Sequence, residues 1–176
     1  MTPDQLARSN SEHGHQRALF AWANIAARYG FKAAWDDLSY SKPGHAMNTY
    51  GENDEAIELL RMHAIANGGK RDKITAGKLK AEGVKPGVPD IFLPLPMPMP
   101  GPNRWDKRHC GLYIEMKRPK ATGQTAGSTS DDQDSWIVYL RSAGYAVGVY
   151  FDWRAAAKDI QQYVENVNEN KGLPKR

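Results

Sequence analysis

Two carboxylates and one ammonium group in this sequence are spaced so that a pair of neighbouring strands would gather them on one rim. Asp90 follows Pro89 at the head of an apolar run, and Glu115 and Lys117 are separated by a single residue in a second run. Strand side chains alternate between faces, so Glu115 and Lys117 project to one side while Ile114 and Met116 project to the other. If the two runs pair as a hairpin, Asp90 meets Glu115 although 25 positions separate them. Such a set suits a divalent cation and a phosphodiester. Hard cations such as Mg²⁺ take oxygen ligands, a bound cation activates water and stabilises phosphoryl charge, and a lysine neutralises growing negative charge. Without context, the same groups would equally form a surface ion pair worth at most about 1 kcal/mol.

The surrounding pattern supplies the elements that must position them. Leu19, Phe20, Trp22, Ala23, Ile25, Ala26 and Tyr29 recur at helical spacing in a helix starting near Ser11, with Gly30 as its stop. Residues 31–53 have no steady period and read as an irregular insertion. Helices are predicted over 55–65 and 72–82, and strands over 88–95 and 111–117. Between the strands, prolines alternate from Pro94 to Pro102; they cannot donate ladder hydrogen bonds, so this stretch reads as an extended hairpin tip within an insertion at 94–110. Capping-type residues open a helix over 131–142. A buried strand over 145–151 and a closing helix over 153–168 follow, then a polar tail at 169–176. This order predicts a single α/β domain over 1–168, built on a small mixed central sheet flanked by helices.

Composition removes several classes. No apolar stretch approaches the roughly 18 residues of a membrane span, and the first ten residues have no apolar core of a signal peptide. A lone cysteine, Cys110, excludes an internal disulfide and a Cys-rich zinc site and fits a cytoplasmic setting. The net charge is +4, and residues 70–85 carry six basic against two acidic residues, a surplus equal to that of the whole chain. Such a block points to a polyanion such as nucleic acid, or else to a solvated helix face.

Four separated stretches, in order, then resemble one family. They are His63-Ala64-Ile65-Ala66-Asn67-Gly68-Gly69-Lys70-Arg71; the run from Leu79 through Gly87-Val88-Pro89-Asp90; Gly111-Leu112-Tyr113-Ile114-Glu115-Met116-Lys117-Arg118-Pro119; and Ser130-Asp131-Asp132-Gln133-Asp134-Ser135-Trp136 with Gly144-Tyr145. This pattern is similar to the VRR-NUC (virus-type replication-repair nuclease) family of PD-(D/E)XK phosphodiesterases, in its stand-alone phage and bacterial form. The resemblance implies a PD-(D/E)XK-like fold and a Mg²⁺-dependent endodeoxyribonuclease, Mn²⁺ substituting, acting as a homodimer on branched DNA such as four-way junctions, with no organic cofactor. It implies Asp90 and Glu115 as metal ligands, the Met116 carbonyl as a further one, Lys117 as the catalytic lysine and Gln133 as the group orienting water or lysine. Glu12, with Gln16 one turn on, resembles the first-helix glutamate that completes such sites. Asn67, Gly68, Gly69, Lys70, Arg71, Lys73 and Arg118 are the expected DNA contacts. Ala66 stands where the family has a proline, and the 94–110 hairpin is longer than usual.

Other candidates carry less. Asn67-Gly68-Gly69-Lys70 is not a phosphate loop, because Arg71 replaces the needed Ser or Thr. His13 and His15 point about 200° apart on a helix, which prevents joint chelation. Trp22, Trp136 and Trp153 read as packing residues, and Trp105 as a base-stacking or dimer contact. The rival reading is a DNA-binding module whose nuclease site is vestigial.

Overall fold

The computed structural model describes residues 1–36, 55–66, 73–98, 108–120 and 125–170. Its scaffold begins with a short helix, α1 (Pro3–Ala7), closed by a Thr2–Gln5 capping box, which the sequence reading missed. Ser11 then caps α2 (Glu12–Trp35) by accepting from the Gly14 N–H. The backbone leaves helical geometry at Gly30, with φ 87° and ψ 166°, as the stop signal predicts. The chain nonetheless resumes as a second helical segment carrying buried Phe31 and Ala34. The first residues of the expected irregular segment are therefore helical, and its remainder, 37–53, lies outside the described residues.

The helix predicted over 55–65 is instead a 3₁₀ turn, Ile57–Arg61, running into a two-residue strand, β1 (His63–Ala64). Helix α3 (Lys73–Ala81) forms as predicted. Strands β2 (Ile91–Leu93) and β5 (Leu112–Met116) are the two apolar runs. The proline stretch is more ordered than a bare tip: its base pairs as a second ladder, β3 (Met97–Pro98) with β4 (Arg108–His109). Helix α4 (Asp131–Ser142), strand β6 (Ala146–Tyr150) and helix α5 (Trp153–Asn170) complete the order. Strand β6 is half-buried along its length and not buried as expected, because it forms one border of the sheet.

The main sheet runs β1-β2-β5-β6, antiparallel except for the parallel β5–β6 pair. One face, with Ile91, Leu93, Leu112, Ile114 and Met116, is sealed in the core formed with α2 and α5. Apolar residues of α5 recur as Ala156, Ile160, Tyr163, Val164 and Val167, the spacing that puts one helical stripe inward. Trp22 packs on Phe31 and Trp35, and Trp35 stacks on Trp153 at 6.0 Å, joining the two helices. Each fully buried Leu or Ile contributes about 1.5–3 kcal/mol, so this face anchors the strands that carry the acids. No helix among the described residues is long and apolar enough to cross a membrane.

Candidate active site

Alternation turns Glu115 and Lys117 to the sheet face opposite the core, and the strand register brings Asp90 to them. Ile91 pairs Ile114 and Phe92 pairs Tyr113, so the next step of the antiparallel ladder sets Asp90 across from Glu115. The Asp90 carboxylate accepts from the Met116 N–H at 3.1 Å, while its backbone carbonyl accepts from the Ile65 N–H at 2.7 Å. Met116 thus contributes its backbone to the site and its side chain to the core.

Glu115 and Lys117 are 1% and 6% exposed, an unusual burial for both types. They are paired, Lys117 Nζ lying 2.9 Å from Glu115 Oε1. Lys117 also donates to Gln133 Oε1 at 2.6 Å, and the Gln133 side-chain amide donates to Glu115 Oε1. The other glutamate oxygen, Oε2, is buried with no hydrogen-bond partner. Burial pushes the Glu115 carboxyl up to about 7, opposed by the Lys117 hydrogen bond and charge and reinforced by Asp90 and Glu12. An unpartnered carboxylate oxygen costs free energy unless a proton or a cation meets it.

Gln133 is positioned by the start of α4. Ser130 caps the helix by accepting from the Gln133 N–H, and its own N–H donates to Gln133 Oε1 at 3.0 Å. One side chain therefore closes a capping box and contacts the buried ion pair. Capping-type residues in the sequence mark this helix start without singling out Ser130 as the residue holding Gln133; the Ser-x-x-Gln spacing is the signal that does so. Asp131, Asp132 and Asp134 complement the positive end of the helix.

A second missed device joins α4 to the Asp90 loop. Trp136, predicted to be core, is only half-buried, and its indole N–H donates to the Pro86 carbonyl at 3.0 Å. Gly87, at φ 82°, lies so close to α4 that an added Cβ would stand 2.6 Å from the Asp132 carbonyl carbon. Only glycine combines that conformation with that approach.

Glu12, the first residue of α2, also faces this cluster. Its carboxyl is raised by burial and by Asp90, and lowered by Lys117 and Arg118. Arg118 is exposed and donates to the Thr125 carbonyl. Lys73 opens α3, while 67–71, with Asn67, Gly68, Gly69, Lys70 and Arg71, and Trp105 lie outside the described residues. His15 is buried and accepts from the Trp153 N–H, linking α2 to α5. Trp22 and Trp153 are core residues as predicted.

The structure thus brings together Asp90, Glu115, Lys117 and Gln133, with Glu12 at their border. Among the described residues no three His, Cys, Asp or Glu side chains converge as a complete metal-binding set. The pair Asp90 and Glu115 offers hard oxygen donors, one of them the buried, unpartnered Oε2, and this chemistry fits a divalent cation that keeps several waters.

Comparison with known proteins bears on the family and the fold. The VRR-NUC domain model matches residues 31–150. A solved structure described as a VRR_NUC domain protein aligns over 89% of each chain, with 18% identity and a TM-score of 0.52, a likeness of fold. No curated protein matches the chain significantly. With two thirds of its length matched and a four-stranded mixed sheet of PD-(D/E)XK-like type, the chain belongs to the VRR-NUC domain family and has a nuclease-type function.

Proposed function

We propose that this protein is a divalent-metal-dependent endodeoxyribonuclease of the PD-(D/E)XK type, in which residues 1–168 form one catalytic domain. The observation that carries the reading is the convergence of Lys117 with Glu115 and Gln133 beside Asp90, with Glu115 Oε2 buried and unpartnered. Asp90 and Glu115 would hold Mg²⁺ or Mn²⁺, the Met116 carbonyl and Glu12 adding to the set. The ion supplies Lewis-acid polarisation of the phosphate and acidifies water.

The chain's own groups do the rest. Gln133 and Glu115 each accept a hydrogen bond from the Lys117 ammonium, leaving its third N–H to face the incoming phosphodiester. That ammonium offsets charge building on the phosphoryl oxygens during in-line attack, and its low-dielectric surroundings strengthen the effect. Cleavage leaves a 5′-phosphate and a 3′-hydroxyl. The exposed Lys78 and Lys80 in the last turn of α3, and Lys85 in the loop leading to Asp90, offer phosphate contacts. Branched DNA, including four-way junctions, is the proposed substrate, with two copies of the chain providing paired cuts.

The test is cleavage of labelled junction, flap and duplex DNA with Mg²⁺, Mn²⁺ or EDTA, read at nucleotide resolution alongside the solution mass. Metal-dependent cutting concentrated at branch points is expected. Metal-independent cutting, or full activity in Glu115→Gln and Lys117→Ala, would overturn the mechanism. Binding without cutting would favour a DNA-binding module with a vestigial site.

A further inference from the structure

We infer that the sheet face carrying the acids continues into a stacking site for an unpaired DNA base, built from Tyr113 and Phe92 and bordered by Tyr145 and His63. The inference rests on the nuclease reading and adds a chemical basis for choosing branched over continuous duplex DNA.

Alternation along β5 puts Tyr113 on the same face as Glu115, two residues or about 7 Å away. Pairing of Phe92 with Tyr113, and of His63 with Phe92, carries that face across β2 and β1. Phe92 and Tyr113 stack at 4.4 Å with their rings 26° apart. Tyr145 meets Tyr113 edge-on at 5.2 Å, and His63 meets Phe92 edge-on at 5.7 Å.

Its exposure distinguishes this cluster from a second core. The residues between these aromatics on the same strands, Ile91, Leu93, Leu112 and Ile114, are sealed on the other face, whereas Phe92, Tyr113 and Tyr145 are half-buried and His63 is exposed. Gly111 makes room for the Phe92 ring: a Cβ there would stand 2.7 Å from the ring and 2.9 Å from the Leu93 carbonyl, so the ring packs against β5. Half-exposed aromatic surface on the same strand face as the acids points to an occupant that is planar and attached to the phosphate held there. A nucleobase meets both conditions. Paired bases in a continuous duplex are already stacked on their neighbours, so the site selects bases at forks, flaps and junction openings, whose exposure costs least.

The probe is a forked oligonucleotide with 2-aminopurine at successive unpaired positions beside the branch, mixed with the full-length protein in EDTA. Fluorescence should be quenched strongly at one position in the wild type and recover in Tyr113→Leu. With Mg²⁺, Tyr113→Leu should raise KM for the fork relative to blunt duplex on the order of ten- to a hundred-fold, and Tyr113→Trp should restore the wild-type ratio. If Tyr113→Leu does not fold, Phe92→Leu replaces it, and the wild-type quenching stands by itself. Absence of quenching at every position, or an unchanged fork-to-duplex KM ratio, would overturn the site. A wild-type dimer that becomes monomeric on Tyr113→Leu would overturn it by assigning the face to a second copy. Quenching without any Mg²⁺-dependent cutting by the wild type would sink the nuclease reading and support the stacking site.

Discussion

Asp90 is tied to the strand that carries its partner acid: its carboxylate accepts the N–H of Met116 at 3.1 Å, one residue beyond Glu115. Because the Asp90 carbonyl also accepts from Ile65, the residue is held from both neighbouring strands. The side chain is thus aimed by backbone geometry, which separates its structural contribution from its charge. Asp90→Asn retains an oxygen for the Met116 N–H and removes the charge. Cleavage should fall on the order of a hundred-fold or more, while the thermal midpoint stays within a few degrees. A large loss of midpoint would show that the charge supports the fold.

The Glu115 carboxyl makes metal-free stability pH-dependent. Its pKa in the folded protein, about 7, lies above the ordinary 4.5, so the folded state holds the proton more tightly. This contribution is fully present below about pH 4.5 and is lost as pH rises through about 7. In EDTA, the wild type should therefore lose up to about 3 kcal/mol against Glu115→Gln between pH 5 and 8. His15 has the opposite effect, because burial lowers its pKa and its neutral form is lost as pH falls. Comparison with Glu115→Gln cancels that contribution. Added Mn²⁺ should restore the wild type at pH 8 and leave the variant unchanged, as read by denaturant titration.

Gly87→Ala should disturb the site from a distance. The substitution meets both an unfavourable positive φ and a near-clash with the Asp132 backbone. We expect a stability loss of roughly 1–3 kcal/mol and a fall in kcat beyond what lost folded protein explains, because the loop holding Asp90 and the turn holding Gln133 are pushed apart. Trp136→Phe, lacking the donor to Pro86, should show a milder version. Equal specific activity of folded wild type and Gly87→Ala would refute the coupling.

Ser130→Ala removes the cap that holds Gln133. The loss should be about 1 kcal/mol in stability, together with lower kcat at saturating DNA. Ser130→Thr, which retains the hydroxyl, should recover both. If Ser130→Ala lowers the thermal midpoint but leaves kcat and its pH profile intact, the capping box has no part in placing Lys117.

Much of this arrangement was legible in one dimension because the acids sit on elements with strong local signals. The alternation of Leu112–Met116 determines which way Glu115 points, and the run of capping-type residues marks the start of α4. The segment at 55–65 misled because Ile57, Leu59 and Leu60 have helix-like spacing, whereas a 3₁₀ turn and a short strand suit the edge position beside β2. Trp136 looked like core because aromatic residues at helical spacing usually are; its indole N–H instead finds a carbonyl fifty residues away. The approach of Glu12 to the acids depends on how α2 packs against the sheet, and no local pattern encodes that. The aromatic cluster needed the register across three strands.

His15 sits one helical turn from Glu12 and accepts from the first amide of α5, so the starts of α2 and α5 are fastened together. The family match spans only 31–150. A fragment trimmed to that span would discard Glu12, this fastening and more than half of the buried apolar interior among the described residues. The flanking helices are structural walls of the nuclease, and a working minimal version has to keep both.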